Sequence, residues 1–265
     1  MEKGDDDISE LFLIQTINGQ VKHDFSFGLL EAIDYYKWYY GNKSLQYNYI
    51  LSDNPERPKL NDFQYYTLDE VVPIGTVEFV LEYLKKYYNI NNIKPINIPE
   101  ELLEDKYTKR DVVIYKNENE TYHTGTKYLF VKSNEKIKGH SEFLNPNKRY
   151  FLPTEELLIS EEVEIESEWR AFIYNKKLVG LQNYLGDFTI FPDVDLIEKM
   201  ISNYTKCPPS YTLDVGVNNN GTFIIECHAF FSCGLYGFSD YSVLPKMFIS
   251  TWNWLIKNKL EINLL

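Results

Sequence analysis

At 265 residues, with 44% hydrophobic and 16% aromatic side chains, the chain can bury the core of one large domain or two modest ones, which excludes a disordered chain. A formal net charge of −12 repels a polyphosphate backbone and no basic patch offsets it, so nucleic acid is not an expected partner. Three cysteines (Cys207, Cys227, Cys233) and four histidines (His23, His123, His140, His228) form no paired zinc spacing, and so sparse a cysteine content fits a reducing, cytoplasmic setting.

The opening text MEKGDDDISELFLI lacks the basic start and unbroken apolar core of a secretory signal, and no stretch is apolar enough to span a bilayer. A soluble chain with no membrane partner is expected. Leu11–Ile14 (LFLI) reads as a buried strand and the text from Phe27 to Tyr40 as a helix. YNYILSD ends a second strand near Asp53, and Thr76 is placed to cap a helix running to Tyr88. Strand and helix alternate as in an α/β domain, until Asn- and Pro-containing text from Asn89 to Pro99 breaks the pattern. The domain boundary is set there, giving residues 1–98 and 99–265.

Beyond Arg110, strand candidates crowd together: DVVIY, KYLFVK, YFLPT, ELLISEEVEI, EWRAFIY, KLVGLQNYL, YTLDVGV and TFIIECHAF. Tyr174–Lys177 and Asn218–Gly221 supply turn residues that tolerate positive φ, so two antiparallel hairpins are expected. Helices are expected at Asp195–Tyr204 and Leu244–Leu260. The fold class that results is mixed α+β and α/β.

Asp214 and Glu226 each sit near the end of an apolar strand, separated by a turn, where a hairpin can set them side by side. Carboxylates bordering apolar strands are costly to desolvate unless a positive group meets them, and a divalent cation is one such partner. A surface pair or a bond to backbone amides is the plainer outcome for that pattern. His228, two residues past Glu226, points to the same face of an extended strand. Lys132 and Arg170 are basic residues inside apolar strands and together suggest an anion site, although each alone can be an edge charge reaching water. The loop after Lys132 adds Lys136, Lys138 and Gly139 but has no Walker A pattern. Glu161, Glu162 and Glu164 alternate in ELLISEEVEI, as solvated charges or as a hinge strand that receives a base and a ribose.

The order FVKS, SEEVEIESEWRAFIYNKKLVG, YTLDVGVNNNGTFIIECHAF resembles the ATP-grasp superfamily over about Lys127 to Gly237. It resembles most the divergent clade that holds cell division cycle protein 123 and small bacterial and bacteriophage relatives; PIGTVEFV at Pro73 adds to the likeness. The resemblance implies an N-terminal α/β (pre-ATP-grasp-like) domain over 1–98 and an ATP-grasp nucleotide-binding domain of two lobes over 99–265. It implies ATP and Mg²⁺ as cofactors. Lys132 and Arg170 would contact the phosphates, with Lys138 a second lysine, while Glu161, Glu162 and Val163 would lie beside adenine and ribose. Asp214 and Glu226 would bind the metal. His228 stands where the family usually has Asn, so either the third protein ligand is altered or the metal preference is shifted.

By the same resemblance the chain is a carboxylate–amine ligase, of peptide or protein acceptors among others, that acts through an acyl phosphate and forms ADP and phosphate. The alternative it leaves is an ATP-binding assembly factor or chaperone-like binding protein without turnover. Tyr184, Tyr236 and the stretch FFSCGLYGF are candidates to line the acceptor site, or to fill the core. Cys227 and Cys233 read as small buried residues rather than nucleophiles.

Overall fold

The computed structural model describes residues 10–41, 45–52, 71–91, 93–118 and 121–262. In chain order the elements are β1 (Glu10–Ile17), α1 (Asp24–Tyr39), β2 (Leu45–Ser52), β3 (Val71–Ile74), α2 (Val77–Tyr88), α3 (Asp105–Thr108), β4 (Val112–Lys116), β5 (Thr121–His123), β6 (Leu129–Ser133) and β7 (Ser141–Leu144). They continue with β8 (Arg149–Phe151), β9 (Glu156–Glu161), β10 (Ser167–Tyr174), β11 (Lys177–Gly186), α4 (Val194–Asn203), β12 (Ser210–Asn218), β13 (Gly221–Ala229) and α5 (Leu244–Ile262). The expected strand end at Asp53 and the opening residues 1–9 lie outside the described residues, as does Asn92 within the expected boundary.

The chain forms two compact units. One comprises Met1–Asn91, Pro208–Tyr211 and Ala229–Leu265, the other Asn92–Cys207 and Thr212–His228. In the first, β1 pairs in parallel with β2 on one side and β3 on the other. Leu11, Phe12, Leu13 and Ile14 are all buried in sequence, as a central parallel strand covered on both faces requires. Phe25, Leu29, Ala32, Ile33 and Tyr36 recur at helical spacing and form the buried face of α1, which therefore begins three residues before the expected Phe27. Thr76 caps α2 as its position suggested, its side chain accepting the Phe79 amide at 3.2 Å, and Asn89 ends the helix in the left-handed region at φ 54°.

The C-terminal helix α5 joins this first unit, whereas the sequence reading grouped all of 99–265 together. Its apolar positions Leu244, Met247, Phe248, Trp252 and Leu255 are buried, it packs on α1 and β3, and Trp252 meets Tyr83 and Tyr88 of α2 edge-on. That apolar stripe, more than sequence proximity, decides where the helix goes.

The second unit holds two four-stranded sheets, ordered β4-β9-β6-β7 and β11-β10-β12-β13, and the pair β5-β8. In the first sheet β4, β6 and β7 all pair antiparallel, around a core of Val131, Leu144, Leu152, Leu157 and Ile159. The expected strand 156–165 stops at Glu161. Past it the chain leaves the sheet, with Glu162 N–H bonded to the Tyr128 carbonyl and Glu166 N–H to the Val217 carbonyl. The β10–β11 hairpin turns at Asn175 and Lys176, both at positive φ (47° and 61°), the requirement of a two-residue type I′ turn. The turn between β12 and β13 is closed by Asn218, whose side chain accepts the Asn220 amide at 2.8 Å. Asp193 caps α4 through the Leu196 amide at 3.0 Å, so this helix starts one residue before Asp195.

Candidate functional site

In β6 the residues Val131 and Ser133 are buried on the core side, so period-two alternation turns Lys132 to the opposite face. There its ammonium donates to Glu226 Oε2 of β13. The other oxygen, Oε1, lies 2.7 Å from His228 Nε2, two residues along the same strand and on the same face. Burial alone pushes the Glu226 carboxyl up, but the His228 and Lys132 contacts outweigh it and hold that carboxyl well below the usual carboxylate range.

A second ion pair lies in the neighbouring strands of the same sheet. Arg170 of β10 grips Asp214 of β12 with both arms of its fork, Nε to Oδ1 at 2.8 Å and Nη2 to Oδ2 at 2.7 Å. Arg170 is 8% exposed and Asp214 1%. For Asp214 burial is the larger influence and raises the carboxyl pKa despite the arginine. Tyr184 of β11 lies beside this pair, its ring 5.7 Å from the Arg170 guanidinium carbon. Its hydroxyl donates to Glu168 Oε2 at 2.6 Å, and burial, the Asp214 charge and that bond push the phenol up, so it remains a donor.

One donor atom from each of Asp214, Glu226 and His228 lies within 4.8 Å of the others. Two carboxylate oxygens and an imidazole nitrogen at that spacing fit a single divalent cation: hard oxygens suit Mg²⁺, and the imidazole widens the set toward Mn²⁺ and later transition metals. The sequence reading brought the pairs Asp214 with Glu226 and Lys132 with Arg170. The structure adds that each carboxylate is matched to one of those cations.

Glu161, Glu162 and Val163 line an open groove of about 590 Å³ together with Thr126, Lys127, Tyr128 and Glu164. Lys127, which the sequence reading passed over, bonds both Asp111 and, at 3.3 Å, Glu161, contacts that raise its pKa. Lys138 lies exposed at φ 54° in the turn between β6 and β7. That turn is built on Ser133 Oγ, which accepts the amides of Lys136 at 3.0 Å and Glu135 at 3.3 Å, while Lys136 pairs with Glu155 at 3.1 Å. A Cβ on Gly139 would come within 2.6 Å of Ser133 Cβ, so the close approach needs glycine. Tyr236 and the stretch Phe230–Phe238 belong to the first unit, where Phe230, Phe231, Cys233, Leu235 and Phe238 are buried. Cys227, between Glu226 and His228, is fully buried, and burial first, then the neighbouring carboxylates, push its thiol well up.

Residues 107–245, just over half of the chain, match a family model for an ATP-grasp domain, the second family of its clade. No curated protein matches. Among solved structures, N5-carboxyaminoimidazole synthetase from Staphylococcus aureus aligns over 92% of this chain and 77% of its own, at 10% identity and a TM-score of 0.52. The D-cycloserine synthetase DcsG aligns over 93% of this chain and 99% of its own, at 10% identity and a TM-score of 0.50. Identities this low speak to the fold alone, and the paired sheets of the second unit are what the family model spans. The chain has the ATP-grasp fold and belongs to that ATP-grasp domain family.

Proposed function

We propose that the chain is an ATP-dependent carboxylate–amine ligase that uses a divalent cation, Mg²⁺ in the first instance, and acts on a peptide or protein among its acceptors in a reducing compartment such as the cytoplasm. The observation that carries this reading is the charge cluster of the second unit, in which Lys132 and Arg170 face Glu226 and Asp214 at ion-pair distance. Such a cluster is balanced without ligand and stays balanced when phosphates and a metal enter together. Lys132 and Arg170 then turn to phosphate oxygens, and Asp214, Glu226 and His228 hold the cation. Lys138, in the adjoining turn, is a further phosphate contact.

The groove at Glu161, Glu162 and Val163 supports a base and ribose site. Tyr128 at that groove and Lys132 at the ion pair are four residues apart along one extended segment, about 13 Å. A bound metal would neutralise charge on the transferred phosphoryl group. Arg170 and Lys132 supply fixed positive charge at the phosphates, and the buried position of Arg170 strengthens that charge by excluding water. In the proposed reaction a carboxylate oxygen attacks the γ-phosphorus, the bond to ADP breaks, and an acyl phosphate forms. An amine then attacks the acyl carbon and inorganic phosphate leaves with the electron pair of the broken C–O bond.

Calorimetry with ATP and Mg²⁺ tests the first half of the proposal, with heat of binding expected and a thermal shift that follows the ligand concentration. Incubation with Mg-ATP and fractionated acceptors tests the second: ADP, phosphate and a condensed product by mass are expected. Acceptor-dependent AMP and pyrophosphate would overturn the mechanism.

A further inference from the structure

Between α2 and the short α3 the chain runs through 93–99 without helix or extended strand, and within it Asn97 is only 1% exposed. Its φ is +53°, a left-handed backbone that Asn and Gly adopt readily and other residues avoid. The Asn97 carbonyl accepts the Cys227 amide at 2.6 Å. Its side-chain Nδ2 donates to the Ser133 carbonyl at 3.0 Å and to Asn134 Oδ1 at 2.8 Å.

The partners in these bonds adjoin the charged residues of the site. Cys227 lies between Glu226 and His228 on β13, and Ser133 follows Lys132 at the end of β6. These two strands belong to different sheets and share no hydrogen-bonded ladder, so no strand register sets the separation of Lys132 from Glu226. Asn97 spans that gap with three hydrogen bonds, one from its main chain and two from its side chain. We propose that Asn97 is a positioning residue: it fixes the strand end that carries Lys132 against the strand that carries Glu226 and His228, and so sets the geometry in which phosphate and metal are received. The identity of the ligand rests on the reading given above; the alignment of Lys132 with Glu226 does not.

Residue type follows from both demands. Glycine keeps the left-handed turn and the carbonyl bond to Cys227 but loses both side-chain donors. Aspartate keeps backbone and size and also loses the donors. Neither replacement touches Lys132, Glu226 or His228 directly, so any change at those groups passes through the lost bonds.

The test compares Asn97→Gly and Asn97→Asp with the parent chain in two measurements. Without nucleotide, the acylation rate of Lys132 by an amine-directed reagent is read by mass spectrometry, with Lys127 as the internal reference because its partners are Asp111 and Glu161. A severalfold rise at Lys132 with none at Lys127 is expected in both variants. With ATP and Mg²⁺, calorimetry is expected to give about tenfold weaker binding, and no further loss when Lys132→Met is already present. A lower melting temperature with parental Lys132 reactivity and parental affinity would mean that Asn97 serves folding only, and would overturn the proposal. Should the parent chain bind no nucleotide, the ligase reading falls, and Lys132 reactivity still decides the role of Asn97. If both variants fail to fold, Asn134→Ala withdraws one of the two acceptors and carries the same expectations in a milder form.

Discussion

At single residues, the two ion pairs of the site differ in how much water reaches them, and their removal should differ accordingly. Asp214→Asn leaves the Arg170 guanidinium buried with no countercharge, and a loss of about 3 kcal/mol is expected in urea unfolding. Glu226→Gln leaves Lys132, whose side chain keeps 21% of its exposure, and a loss of about 1 kcal/mol or less is expected. Equal losses would mean that the burial difference has no energetic weight. Lys132→Met should have opposite effects on two ligands. It frees Glu226 Oε2, so Mn²⁺ alone should bind about tenfold more tightly by equilibrium dialysis, while Mg-ATP binds more weakly. Metal binding unchanged by that substitution would show that Lys132 does not compete for the carboxylate. The chemistry-bearing residue types were legible in the sequence because charges inside apolar strands stand out. Their pairing was not, since Arg170 meets Asp214 across 44 residues and Lys132 meets Glu226 across 94.

Among the elements, the hairpins and capped helices were legible because their signals are local: positive-φ residues at Asn175 and Lys176, and side-chain oxygens at Thr76 and Asp193. The end of β9 was not. Alternation through Glu162 and Glu164 continues the strand pattern, while the chain is drawn out of the sheet by the Tyr128 and Val217 carbonyls, which no local pattern announces. The short strands β5 and β7 escaped notice for a related reason, since three or four half-exposed residues carry too little periodicity. The turn from β6 to β7 offers a test at this scale. Gly139→Ala places a methyl against Ser133 Cβ and the Lys136 carbonyl, and a cost of about 1–3 kcal/mol is expected in thermal or urea unfolding. A neutral result would mean the turn yields without strain.

For the molecule as a whole, the parallel order of β1, β2 and β3 was legible as strand and helix in alternation, but the membership of α5 was not, because a helix some 150 residues downstream of α2 gives no local sign of where its apolar stripe docks. A fragment ending at residue 98 therefore lacks the surface that covers α1, α2 and β3. By circular dichroism and amide dispersion it should remain unfolded or molten, and addition of a peptide spanning 229–265 should order it; an independently folded fragment would contradict this assignment. Synthesis on a ribosome brings out what such an arrangement demands. At about 5–20 residues per second, the stretch from Asn92 to His228 takes roughly ten seconds or more to emerge. Through that interval β1 to α2 wait without the helix that closes their core, with Phe79, Tyr83 and Leu84 open to neighbours. The last helix made completes the first unit begun, so an early stop in translation leaves a chain whose oldest part is its stickiest.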